Sequence, residues 1–116
     1  MNAVGARELH LLLDRDGALI VFQETATAWA GVLAFSSEDK ARDFLAASHL
    51  EAGEIAALDC AEADNVAALV ANVKRRAVRY LLLDLDYRSG HCIQIEFEGD
   101  KFGRESERQF TPRPQP

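Results

Sequence analysis

The sequence predicts an α/β protein, on the border with the α+β class, in which a single mixed sheet of about six strands carries two helices. Three features of the apolar pattern lead to this prediction. Apolar runs without alternation, such as residues 80–85, are typical of central strands that are buried on both faces. Residues 92–98 alternate between apolar and polar, as an antiparallel strand with one solvated face does. Two further segments have the apolar spacing of amphipathic helices.

The N-terminal part of the chain is predicted to contain three strands. Residues 8–13 alternate, with leucines on both faces. Asp16 and Gly17 are a strong signal for a hairpin turn, so residues 19–22 are expected to return along the first strand. Residues 29–35 are apolar on both faces and are expected to form a central strand.

Two helices with a strand between them are predicted next. The first covers residues 37–48, directly after serines and acids that are suited to cap and stabilise a helix N-terminus. Residues 54–58 are expected to form a short strand. The second helix covers residues 62–76, and it ends in basic residues that complement the negative end of the helix dipole. Its apolar stripe consists of Val66, Leu69, Val70 and Val73.

The resulting order of elements is β-β-β-α-β-α-β-β. The two connections through helices are long enough for parallel, right-handed crossovers, whereas the strand pairs at the two ends are expected to be hairpins. Residues 1–110 are predicted to form a single domain, in line with a length of 116 residues. Prolines alternate along residues 111–116, which are expected to form a flexible tail.

Composition excludes several classes of partner and site. The net charge of −6 argues against nucleic acid and against an anionic membrane surface, because both need a basic face. Cys60 and Cys92 are far apart, a spacing that fits neither a disulfide framework nor a zinc site. The chain shows no apolar run of ~18 residues and no secretory signal pattern. These features together predict a cytoplasmic protein with reduced thiols.

A short motif of three leucines followed by acidic residues occurs twice, each time at the end of a predicted strand. Residues 11–17 read Leu-Leu-Leu-Asp-Arg-Asp-Gly, and residues 81–86 read Leu-Leu-Leu-Asp-Leu-Asp. If the two turns lie side by side, their carboxylates form an oxygen ligand set for Mg²⁺ or Ca²⁺. This set consists of Asp14, Asp16, Asp84 and Asp86. The sequence favours the simpler interpretation that these side chains bond the local backbone of turns, in which case no metal or other cofactor is needed.

Residues 12–19, which read Leu-Leu-Asp-Arg-Asp-Gly-Ala-Leu, resemble the first motif of the haloacid dehalogenase-like phosphatases. This resemblance implies that Asp14 attacks a phosphoryl group, that Asp16 is the general acid/base, and that Mg²⁺ lies between them. By the same resemblance, the later motifs fall on Ser36 or Ser37, on Lys74, and on Asp84 or Asp86. The family's fold needs a long crossover after the first strand, whereas residues 18–22 here are predicted to be a strand.

A third candidate site lies at the carboxyl ends of the parallel strands, where open α/β sheets bind their ligands. The predicted ligand-binding residues at these ends are Ser36, Ser37, Asp84 and Asp86. The N-terminus of the first helix is expected there too, and such an N-terminus attracts anions. The competing interpretation, which the residue types favour, is that the serines cap the helix.

Residues 31–45 combine an apolar strand, two serines, two acids and an amphipathic helix, and they resemble the strand-to-helix opening of the SseB-type domains. Residues 78–86 are similar to a later strand of these small bacterial α/β proteins, so the resemblance covers residues 29–86. The family has no established catalytic residues. The resemblance therefore implies a non-enzymatic role, such as protein interaction.

The sequence as a whole favours a non-catalytic protein-interaction or regulatory module that acts with a protein partner or by self-association. The alternative is a Mg²⁺-dependent phosphoryl-transfer enzyme that uses Asp14 and Asp16. For a homodimer, we expect the strands at residues 80–85 and 92–98 to supply the edges that pair across a two-fold axis.

Overall fold

The computed structural model describes residues 8–23 and 30–110. Its elements are β1 (Glu8–Leu13), β2 (Val21–Gln23), β3 (Ala30–Phe35), α1 (Glu38–Ser48), β4 (Glu54–Asp59), α2 (Ala63–Lys74), β5 (Tyr80–Leu83), β6 (His91–Glu98) and β7 (Lys101–Gln109). The helices and the mixed sheet confirm the predicted α/β class. The predicted tail at residues 111–116 lies outside the described residues.

The strands of the described chain form one sheet in the order β4-β1-β3-β5-β6-β7, and β2 pairs with β3 next to the end of β1. β3 and β5 are parallel neighbours, whereas the other pairings are antiparallel. β3, β4 and β5 all point in one direction, as the predicted crossovers require. The antiparallel strand β1 separates β4 from β3, so among the described strands only β3 and β5 pair in parallel.

Each face of the sheet is covered by one helix, because the central strands are apolar on both faces. α2 packs on one face through the stripe that the sequence predicts, Val66, Leu69, Val70 and Val73. α1 packs on the opposite face through Ala41 and Phe44. Strand side chains alternate between the two clusters, so Leu82 lies on the α1 side while Leu81 and Leu83 lie on the α2 side.

The predicted hairpin after Asp16 and Gly17 is limited to one antiparallel bridge between Leu13 and Leu19. Beyond this bridge the chain reverses its direction again. β2 consequently runs in the same direction as β1, since both strands are antiparallel to β3. The prediction that residues 19–22 return antiparallel to β1 is therefore wrong. β2 instead pairs antiparallel with β3.

The charged segment after Gly99 forms β7, a strand that the sequence pattern does not predict. An edge strand with two partly exposed faces needs few apolar side chains, so no apolar alternation marks it. With β7 in place, β5 and β6 each have a strand on both sides. The predicted two-fold pairing through residues 80–85 and 92–98 is therefore wrong, because neither strand has a free edge.

Gly90 closes the loop between β5 and β6 against the end of β7. Its N–H donates to the Asp86 carbonyl at 2.7 Å, and its own carbonyl accepts from the Phe110 N–H at 2.8 Å. Its φ of +78° lies in the left-handed region that favours glycine. A Cβ at this position would lie 1.8 Å from the Phe110 carbonyl oxygen, so only glycine allows the two backbones to approach this closely.

Replacing Gly90 with alanine is expected to lower the free energy of unfolding by about 3 kcal/mol or more, because steric overlap with Phe110 adds to the strain of a positive φ. Gly99→Ala is the matched control, since Gly99 has a φ of +62° but open space around an added Cβ. This control should cost only about 1–2 kcal/mol. Urea unfolding followed by circular dichroism measures both losses. Equal losses would contradict the close approach to Phe110.

Candidate functional site

A cleft lies at the carboxyl ends of the parallel strands β3 and β5, where an open α/β sheet is expected to bind a ligand. Its volume is about 410 Å³. The lining residues are Phe35, Asp39, Lys40, Asp43, Asp84, Leu85 and Asp86. They come from the end of β3, the first half of α1 and the loop after β5, so three separate segments have to meet to form the site.

Asp84 joins the ends of β3 and β5 through its carboxylate. One carboxylate oxygen accepts a hydrogen bond from the Ser36 backbone N–H at 2.7 Å, and the other accepts from the Ser36 hydroxyl at 2.9 Å. The Asp84 N–H donates to the Ala34 carbonyl at 2.9 Å, which extends the β3–β5 pairing by one hydrogen bond. Hydrogen bonds to a charged acceptor contribute about 1.5–3 kcal/mol each, more than those between neutral groups.

The backbone of Asp84 adopts a φ of +55°, a left-handed conformation that costs most residues about 1–2 kcal/mol. The hydrogen bonds from Ser36 offset this cost. Lys40 Nζ lies 3.3 Å from the Asp84 carboxylate, and its side chain is 59% exposed against 23% for Asp84. Ion pairs with such exposure contribute about 0–1 kcal/mol, so the Lys40 contact is weak compared with those of Ser36.

The two serines between β3 and α1 have different roles. Ser37 is the N-cap of α1, and its side-chain oxygen accepts a hydrogen bond from the Lys40 N–H at 3.2 Å. This confirms the helix-cap interpretation for Ser37. Ser36 instead donates to Asp84 and so ties the start of α1 to the end of β5.

The loop after β5 is held by Asp86 and Arg88. The Arg88 N–H donates to the Asp86 carboxylate at 2.9 Å, and this hydrogen bond is the main reason why the pKa of Asp86 lies below its ordinary value. The Arg88 guanidinium donates to the Asp43 carboxylate on α1 at 3.0 Å. The Tyr87 ring packs edge-on against Phe44 at a centroid distance of 5.9 Å, which gives the loop a second connection to α1.

Negative charge dominates the cleft, because four aspartates and one lysine line it. Two of these aspartates are paired, one with Lys40 and one with Arg88. The other two, Asp39 and Asp86, make no ion pair with any residue that the structure describes. The cleft is therefore suited to a cationic group rather than to an anion, although it includes the N-terminus of α1.

Asp14 and Asp16 lie at the other end of the sheet. β1 is antiparallel to β3, and β3 is parallel to β5, so the carboxyl end of β1 is opposite to theirs. The Asp14 carboxylate accepts from the Asp16 N–H at 2.8 Å and from the Ala18 N–H at 3.0 Å, which is local turn bonding. Lys74 is also outside the cleft, and its ammonium group donates to the Gly99 carbonyl.

The structure therefore separates Asp14 and Asp16 from Asp84 and Asp86, so a metal site shared by the two acidic turns is not formed. In the part of the chain that the structure describes, no group of three or more His, Cys, Asp or Glu side chains is arranged to hold a metal ion. The residues assigned to the phosphatase motifs are likewise divided between the two ends of the sheet.

Sequence reasoning does not identify Asp39, Lys40, Asp43 and Arg88 as members of the site. Asp39 and Asp43 are four residues apart and so lie on one face of α1, a spacing that is visible in the sequence. Arg88 has no comparable signal, because 45 residues separate it from its partner Asp43.

Comparison of the chain with protein-family models, with curated proteins and with solved structures gives no match. Neither helix of the described chain has the length and the apolar character that a membrane span requires.

Ser36→Ala and Asp84→Asn are expected to be energetically coupled, because Ser36→Ala removes the hydroxyl that donates a hydrogen bond to the carboxylate that Asp84→Asn neutralises. The double variant should lose less stability than the sum of the single losses, with a coupling energy of about 1 kcal/mol. As a control, Ser106→Ala on β7 combined with Asp84→Asn should be additive to within about 0.5 kcal/mol. Urea unfolding of the full cycle gives both energies. Additive losses for Ser36 and Asp84 would show that the contact does not stabilise the fold.

The lowered pKa of Asp86 predicts a contribution to stability that depends on pH. A carboxylate whose folded-state pKa lies below its unfolded-state pKa stabilises the protein at higher pH and loses this effect as the pH falls through the folded-state pKa. Asp86→Ala should therefore destabilise the protein at about pH 7, and the deficit should shrink between about pH 5 and about pH 2. Urea unfolding across this pH range measures the deficit, and Asp100→Ala is the control variant. A deficit that stays constant would contradict the assignment.

Proposed function

We propose that this protein is a non-catalytic protein-interaction module that holds a basic side chain of a partner protein in the acidic cleft at the ends of β3 and β5. The observation that carries the proposal is the combination of apolar walls and carboxylates in one cleft of about 410 Å³. Phe35 and Leu85, which are buried members of the α1 side of the core, supply the apolar part. Lysine and arginine side chains have the matching form, an apolar stem that ends in a cation.

The acidic groups of the cleft are held in place before any partner arrives. Backbone and hydroxyl donors of Ser36 fix Asp84, and the N–H of Arg88 fixes Asp86. A site whose groups are already oriented loses less conformational freedom on binding.

A partner cation has to compete with the two cations that the protein itself supplies. Lys40 and Arg88 have side chains that are 59% and 63% exposed in their ion pairs. Ion pairs as exposed as these contribute about 0–1 kcal/mol, so a partner cation can displace Lys40 or Arg88 at a small cost in free energy. The net charge of −6 also attracts a basic partner over a longer range and raises its association rate.

The proposal predicts binding of a fluorescein-labelled peptide that alternates arginine and alanine, measured by fluorescence anisotropy. Asp39→Asn combined with Asp86→Asn should raise its dissociation constant at least about tenfold, because both carboxylates line the cleft and neither has an internal ion-pair partner among the described residues. Affinity should fall as the salt concentration rises, as expected for charge-driven binding.

Glu62→Gln combined with Asp64→Asn is the matched control. It removes the same number of charges from exposed positions at the start of α2, which do not line the cleft. An equal loss of affinity in both double variants would show that only the overall charge matters and would contradict a specific site. Hydrolysis of a generic phosphomonoester in the presence of Mg²⁺ that is abolished by Asp14→Asn would contradict the non-catalytic assignment.

A further inference from the structure

β4 forms one edge of the described sheet, and its charged side chains are confined to its two ends, Glu54 and Asp59. Its inner side pairs with β1 over all six residues without a register shift, and no described strand pairs with its outer side. Residues 55–58 read Ile-Ala-Ala-Leu, with no charge and no proline. Regular edges with an uncharged middle of this kind pair readily with another strand.

The opposite edge, β7, is protected in the ways that natural proteins use. Its pairing with β6 contains a register shift between Ile95 and Phe97. Charged side chains recur along it, at Lys101, Arg104, Glu105, Glu107 and Arg108. The contrast within one sheet indicates that β4 is left open for pairing whereas β7 is blocked.

We propose that β4 pairs with β4 of a second copy of this chain, antiparallel and across a two-fold axis perpendicular to the sheet. The two sheets then continue into one another and each chain buries its open edge. This edge lies on the opposite side of the sheet from β7 and includes no residue that lines the acidic cleft. The dimer and the proposed function can therefore be tested independently.

The faces of β4 explain why a second copy fits this edge. Leu58 packs with the core on the α2 side, and Ile55 packs with the core on the α1 side, as alternation along a strand requires. The acids at the two ends, Glu54 and Asp59, therefore lie on opposite faces. Side chains that oppose each other across a two-fold strand pair share a face, so these acids cannot meet.

The same geometry places apolar or small residues opposite the acids. In a pairing centred on Ala56, Glu54 lies opposite Leu58 of the second copy. In a pairing centred on Ala57, Glu54 lies opposite Cys60 of the second copy. In both cases the uncharged residues 55–58 form the middle of the joined strands, and like charges do not face one another.

Sedimentation velocity over a range of protein concentrations tests the dimer. Ala57 is exposed, and in either pairing its two copies lie directly or diagonally opposite each other. Ala57→Lys should therefore raise the dimer dissociation constant at least about tenfold through like-charge repulsion. Ala57→Glu should do the same. A mixture of the two variants should associate again, because lysine then faces glutamate.

Ser106→Lys, which places the same charge on the β7 edge, is the control and should leave the dissociation constant unchanged. Circular dichroism confirms that each variant is folded. The proposal is overturned if the unchanged protein stays monomeric up to about 1 mM, where an association is too weak to be specific. It is also overturned if Ala57→Lys has no effect, if Ser106→Lys weakens the dimer as much, or if the mixture does not associate.

Discussion

The contact between Asp84 and Ser36 is the constraint on which the cleft depends. It joins two residues that are 48 positions apart, at the ends of the two parallel strands of the described sheet. Because Ser36 directly precedes the N-cap of α1, the same contact fixes where the helix starts relative to β5. Together with the Arg88–Asp43 and Tyr87–Phe44 contacts, this junction makes the acids on α1 face the loop after β5. The hydrogen bonds from Ser36 also offset the cost of the left-handed backbone of Asp84.

The position of β1 decides which acids share a site. β1 lies antiparallel between β4 and β3, so its acidic turn is carried to the end of the sheet away from the cleft. At that end Lys74, the last residue of α2, donates to the Gly99 carbonyl. Arg76, which follows the helix, donates to the Leu19 carbonyl at 2.7 Å, so both side chains bind backbone rather than acids. These contacts join the C-terminal end of α2 and the residues after it to two loops. The carboxyl ends of β3 and β5 thus form the cleft, whereas contacts at the opposite end of the sheet hold loops in place.

The sequence predicts best those elements whose pattern reflects burial. The stripe of α2 and the alternation of β1 and β6 are correct, because each of these elements has to present apolar side chains to a core. β7 is missed because an exposed edge strand is stabilised by backbone pairing with β6, and its charged side chains give no apolar period. The direction of β2 is missed because Asp16 and Gly17 specify a turn but not the path of the chain beyond it. After the turn, pairing with β3 determines that path, and this contact is not local.

The repeated acidic motif shows why the sequence predicts only some of the residues of the site. Both copies place an aspartate after three leucines, yet Asp14 bonds the backbone of its own turn whereas Asp84 bonds a residue on another strand. Local chemistry is the same in the two cases. The difference lies in strand direction. β5 runs parallel to β3 and ends beside the start of α1, where Ser36 offers hydrogen-bond donors. β1 runs in the opposite direction, and no helix of the described chain starts beside its end. Strand direction is set by the whole topology, so the role of each aspartate depends on the sheet order and not on the motif that contains it.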